Sequence, residues 1–172
     1  NTYTGTTTIS AGALQVGSGS TTGTLGVGNI TNNASLVFNR NNNLMVANAI
    51  SGTGALIQAG TGTTILSANN SYGGTTTISA GTLQVGNAGG TGTLGHGGGV
   101  TLSNGANLNF VRNVSTSIDN QISGNGNVNA TITGTGTNLT LNSSIALSGA
   151  TGSQTNNATL STASSITPVS YT

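Results

Sequence analysis

Residues 1–26 read NTYTGTTTISAGALQVGSGSTTGTLG, and residues 70–95 read NSYGGTTTISAGTLQVGNAGGTGTLG, an offset of 69 with identity through TTTISAG, LQVG and GTLG. After a small insertion of glycines at 97–99 the match resumes. NNASLVFNR (32–40) corresponds to NGANLNFVR (104–112), and VANAISGTG (46–54) to IDNQISGNG (118–126), both at an offset of 72. GTGTTIL (60–66) then meets GTGTNLT (134–140) at an offset of 74. A chain that repeats itself over such a period builds stacked units, because each unit buries its apolar face only against a neighbour of the same kind. The expected copies are 1–69 and 70–141, with a degenerate third at 142–155 and a divergent C-terminal strand at 156–172.

Inside each copy the rhythm is shorter. Apolar and polar residues alternate through Thr7–Ile9, Leu14–Val16, Leu36–Phe38, Val46–Ile50, Leu83–Val85, Leu108–Phe110 and Ile118–Ile122. Alternation at period two gives a strand with one buried and one wet face. The separators SAG, GTG, NNN and SGNG hold the residues that tolerate turns. More than 30 threonines favour extended backbone, and 29 glycines disfavour helix. Sandwiches and barrels also use many short strands, but only a stack of coils explains the long repeat. The expected fold is all-β, a single-chain β-helix with about 20–25 residues per rung and roughly three rungs per long repeat. About seven or eight rungs, spaced like neighbouring strands at about 4.8 Å, make a rod about 35–40 Å long.

Charge narrows the function. Only 2% of residues are charged and the net charge is +1, against roughly 25% charged in ordinary domains. Nucleic acid and anionic lipid both need clustered Lys and Arg, so neither is an expected partner. No run of about 18 apolar residues is present to span a membrane as a helix. There is one carboxylate, Asp119, one histidine, His96, and two arginines, Arg40 and Arg112. That set is too small for a metal centre. A Ser-His-Asp site needs His96, but His96 lies in the turn LGHGGG, and its counterpart in the first copy is Val27. The Gly-x-Gly patterns precede no helix, which removes the phosphate-loop reading. No catalytic, cofactor-binding or metal residues are assigned, and no cofactor is expected.

Arg40 and Arg112 hold equivalent places after the Phe-containing strands. They serve either as anchors for an acidic glycan or partner, or as caps that hydrogen-bond turn carbonyls while their stems shield Phe38 and Phe110; capping is the favoured reading. Asp119 is a candidate ion-pair partner for Arg112, worth little if exposed.

The stretch SGTGALIQAGTGTTILSANNSYGGTTTISAGTLQVG (51–86) resembles the autotransporter-associated β-strand repeat, or passenger-associated transport repeat, and 1–17 resembles its second half. Gln58 departs from it, standing where that family often has Lys. The resemblance implies a β-helical passenger segment exported across the outer membrane of a Gram-negative bacterium, without catalytic residues in the repeat. The family's translocating barrel is absent from this sequence.

The expected function is therefore structural and non-enzymatic, at the bacterial cell surface or in the extracellular matrix: a stalk, an adhesin segment or a self-assembling fibre subunit. Its expected partners are adjoining passenger segments, a host or matrix surface, or a second copy joined head to tail through 156–172, which contains Pro168. Asn1 corresponds to Asn70, so the chain is either a part of a longer passenger or a subunit completed by its neighbour. The alternative is an ice-binding solenoid using Thr-x-Thr ranks such as 6–8, 22–24 and 75–77.

Overall fold

A computed structural model describes residues 1–133, 137–143 and 145–147, together with the backbone of strands at 157–160 and 165–168. The described residues contain no helix, and every strand pairing is parallel. The chain winds as a three-walled solenoid, with strands numbered here in chain order. The first wall carries β1 (Thr7–Ile9), β3 (Ile30–Asn32) and β6 (Ile50–Ser51). It continues through short segments at 71–73 and 94–96 to β13 (Thr116–Ile118), β16 (Asn138–Leu141) and β19 (Ser165–Pro168). The second wall is a seven-stranded sheet of β2 (Ala13–Ser20), β4 (Ser35–Arg40), β7 (Ala55–Gln58), β9 (Thr76–Ile78), β11 (Val100–Leu102), β14 (Ile122–Gly124) and β17 (Ile145–Leu147). The third wall begins at Tyr3, continues through 24–27 and holds β5 (Leu44–Val46), β8 (Thr63–Leu66), β10 (Thr82–Val85), β12 (Asn107–Arg112), β15 (Asn127–Ile132) and β18 (Asn157–Leu160).

Seven strands in the second wall mean about seven turns. Register partners there lie 20 to 24 residues apart, from Ser35 on Ala55 to Thr76 on Val100. Leu36 sits on Leu56, Leu83 on Leu108 and Val85 on Phe110, and all are buried. The period-two pattern causes this: every second side chain points into a narrow tube, where it meets the same kind of residue one rung away. Gln58 follows the pattern too. It is buried beneath Phe38 and donates from Nε2 to the carbonyls of Gly60 and Gly62 at 2.8 and 3.2 Å.

The long repeat does not contain a whole number of turns. Copy one passes through Tyr3, β1, β2, 24–27, β3, β4, β5, β6, β7 and β8; copy two passes through 71–73, β9, β10, 94–96, β11, β12, β13, β14, β15 and β16. That is ten wall segments each, or three and a third turns where three were expected. Equivalent strands consequently lie on successive walls: β1 is on the first and β9 on the second, β4 on the second and β12 on the third. β18 and β19 extend the stack, pairing with β15 and β16.

Candidate interaction surface

The same groove occurs once in each copy. In copy one it lies between 24–27 and 44–48; in copy two it lies between 93–96 and 116–120. Both are floored by the short segment that follows a glycine loop. Gly26 and Gly95 lie against the aromatic rings of Tyr3 and Tyr72, and a Cβ on Gly95 would stand 2.1 Å from the Tyr72 carbonyl oxygen. Only glycine fits there, which explains the GTLG motif. The next residue, Val27 or His96, donates its backbone N–H to the carbonyl of Tyr3 or Tyr72 at 3.2 or 2.9 Å. Asn48 and Asn120 tie the far side, each donating from Nδ2 to two carbonyls: Gly26 and Gly28, or Gly95 and Gly98.

The linings differ. Copy one presents exposed Val27, Met45 and Ala47 around about 280 Å³. Copy two presents His96, Ser117 and Asp119 around about 50 Å³, room for a water or two. The only histidine and the only carboxylate thus share one groove with a serine. No hydrogen bond joins His96, Ser117 and Asp119 among the described residues; Asp119 Oδ1 instead accepts from Asn142 Nδ2 at 2.7 Å. A nucleophile, base and orienting acid must be linked in that order to act together. The three lack those links.

The arginines cap, as favoured. Both are buried at strand ends, 9% and 4% exposed for Arg40 and Arg112. Arg40 donates to the carbonyls of Thr21 and Gly23, and Arg112 to those of Gly90 and Gly92. Arg112 does not meet Asp119. Burial pulls the Arg112 guanidinium below its ordinary pKa, which still leaves it charged at physiological pH. Sequence reading missed the position two residues further on. Asn42 accepts from both Nε and Nη2 of Arg40, at 3.0 and 2.9 Å, and Val114 stands in its place in copy two. Carrying the repeat alignment past the arginines finds the change; only the geometry gives it meaning.

Among the described residues, no helix is long and apolar enough to cross a membrane. The family of the passenger-associated transport repeat matches residues 1–16 and 56–85. These are the stretches from Tyr3 through β2 and from β7 through β10, the equivalent starts of the two copies with the rung before the second. An autotransporter adhesin, BmaC of Brucella suis biovar 1 (strain 1330), is 43% identical over 83 residues. That alignment covers 48% of this chain and 2% of the relative, so the chain spans a small part of that protein's length. No solved structure matches the chain. The chain thus carries passenger-associated transport repeats at 1–16 and 56–85, within a solenoid of parallel walls.

Proposed function

We propose that this chain is a non-enzymatic segment of a surface-displayed bacterial adhesin, extending the passenger away from the cell and offering contact surface along its length. The observation that carries this reading is the repeat itself, shared with an autotransporter adhesin and folded here into a rod whose backbone groups are spent on neighbouring rungs. A tube of this kind has rigidity along its axis and side chains in regular outward rows, which suits a spacer or stalk. The same relationship supports a place at the surface of a Gram-negative cell and a role without catalysis.

End-to-end growth is the finer part of the proposal. The junction between copies is built by β7 under β9 and β8 under β10, with Ser71 and Gly73 donating to the carbonyls of Ile50 and Gly52. An adjoining passenger segment, or a second copy meeting it through residues 156–172, extends the rod by strand addition of the same kind. Ice binding asks for Thr-x-Thr ranks on one flat face. The triplets at 6–8 and 75–77 fall on the first and second walls, which counts against it.

The test is to coat beads with the purified chain and score adherence to host cells and matrix proteins, while imaging the chain by negative-stain electron microscopy. Adherence above that of uncoated beads supports the adhesive role, and filaments support end-to-end growth. Short rods that adhere to nothing would sink both and leave a spacer.

A further inference from the structure

Arg40 and Arg112 occupy equivalent positions and reach equivalent loops, yet their hydrogen bonding differs on one edge. In copy one the Nε–Nη2 edge of Arg40 is closed by Asn42 Oδ1, a single planar oxygen accepting from both nitrogens at 3.0 and 2.9 Å. In copy two Arg112 keeps the loop contacts, from Nη1 to the Gly92 carbonyl and from Nη2 to the Gly90 carbonyl at 3.3 Å. Its Nε is buried and has no partner. Val114, in the place of Asn42, offers no acceptor.

A buried donor without an acceptor is costly, and a buried cation without a counter-charge more so. The chain's one carboxylate, Asp119, is engaged with Asn142. Val114 lies in the turn between β12 and β13, with exposed Asn113 and Ser115 beside it, and is itself 37% exposed. It stands at the repeat position from which Asn42 closes the Nε–Nη2 edge of Arg40 in copy one. The same edge of Arg112 has the fork geometry that matches a carboxylate side-on, and the charged bond is stronger than the carboxamide one it replaces.

We propose that Arg112 is the recognition group of a carboxylate-binding site, in which a ligand carboxylate takes the place that Asn42 Oδ1 holds beside Arg40. Val114 swings outward to admit it. The surroundings favour an acidic sugar, a uronate, over an acidic peptide. Arg112 is the only cation at the site, and the residues flanking Val114 are exposed, uncharged Asn113 and Ser115. One cation beside a carboxamide and a hydroxyl matches a hydroxyl-rich ligand with sparse charge. A peptide dense in carboxylates calls for several cations.

The chain's two arginines make the test direct. In the ¹⁵N-labelled full chain the Nε–H groups give two separate signals, assigned with Arg40→Lys. Sodium galacturonate is titrated in at constant ionic strength, with sodium sulfate and a glutamate peptide as parallel arms. The expected result is a saturating shift of the Arg112 signal with Arg40 unmoved. Val114→Asn, which supplies the missing acceptor from within, is expected to abolish the shift and bring the free Arg112 signal towards that of Arg40. An unmoved Arg112 signal, equal movement of both arginines, or a shift that survives Val114→Asn overturns the site. Sulfate acting equally well reduces it to a non-selective anion contact and overturns the carboxylate assignment. Response to the peptide alone overturns the sugar.

Discussion

Tyr3 and Tyr72 occupy the same place in the repeat, and each hydroxyl bonds to a threonine four residues on, Thr7 at 2.7 Å and Thr76 at 2.8 Å. Tyr3 is 40% exposed and Tyr72 1%. Tyr72 has a rung on both sides, with Gly52 bonded to Gly73 beneath and Gly95 and His96 above. Tyr3 has Gly26 and Val27 against it on one side. The local geometry is therefore written within each copy, and burial is set by what lies next along the axis. Arg40 and Arg112, Asn48 and Asn120, and the Gln15 and Gln84 bonds to Gly17 and Gly86 repeat the lesson. Each pair keeps its bonds to backbone carbonyls while moving to a different wall.

The largest effect that tests this equivalence comes from Phe38 and Phe110, both fully buried, one on the second wall and one on the third. Phe→Ala at either position is expected to cost about 3–5 kcal/mol, with the two values within about 1 kcal/mol of each other in urea unfolding. A wider gap would break the equivalence of the walls.

Next comes the pair of glycines over the tyrosines. Gly95→Ala forces a Cβ against a tyrosine held on both sides and is expected to cost about 3 kcal/mol. Gly26→Ala meets a tyrosine free to give way and is expected to cost about 1 kcal/mol. Equal losses would mean that the two tyrosines are held equally tightly.

Tyr72→Phe removes a buried hydrogen bond, leaves the Thr76 hydroxyl without it, and is expected to cost about 1 kcal/mol, against a few tenths for Tyr3→Phe. pH sharpens the contrast. Burial, opposed by the Thr76 bond, raises the Tyr72 pKa above 10.0. A raised folded-state pKa means that the folded form holds its proton where the unfolded form has lost it. Its contribution is whole below pH 10.0 and is lost as pH climbs through the folded value. Thermal melts of the wild type should fall above that pH, and those of Tyr72→Phe should fall less.

The smallest effects repair copy two with residues from copy one. Val114→Asn should close the open edge of Arg112 and stabilise by about 1 kcal/mol. Ala88 holds φ at 64° where its counterpart Gly19 holds 81°. Relief of the left-handed strain, less the extra freedom glycine has when unfolded, leaves Ala88→Gly stabilising by about 0.5 kcal/mol. A loss in melting temperature for either variant would show that copy two has its own solution.

Much of this was readable in the sequence. Period-two runs such as Leu36–Phe38 and Leu83–Val85 located inward faces, and the alignment paired Val27 with His96 and Arg40 with Arg112 before any coordinates. Even the burial of Gln58 follows from its spacing to Leu56, though its polarity hides it. The phase of the repeat was not readable. Turn length varies between rungs, so no count of residues says which wall a strand joins; stacking across the tube decides that. The Arg112 edge was hidden for another reason: a single missing acceptor has no periodicity to betray it.

The three-and-a-third-turn repeat bears on how such a gene lengthens. If the tube accepted a given strand on one wall only, a duplication would fold only when it added whole turns. Here Tyr3 and Tyr72, or β4 and β12, settle on different walls with the same bonds. The cross-section behaves as an unmarked triangle, so a recombination event succeeds whenever it adds a whole number of sides. That condition is three times easier to meet, and each successful copy aims its outward residues in a fresh direction, so lengthening also turns the pattern around the shaft.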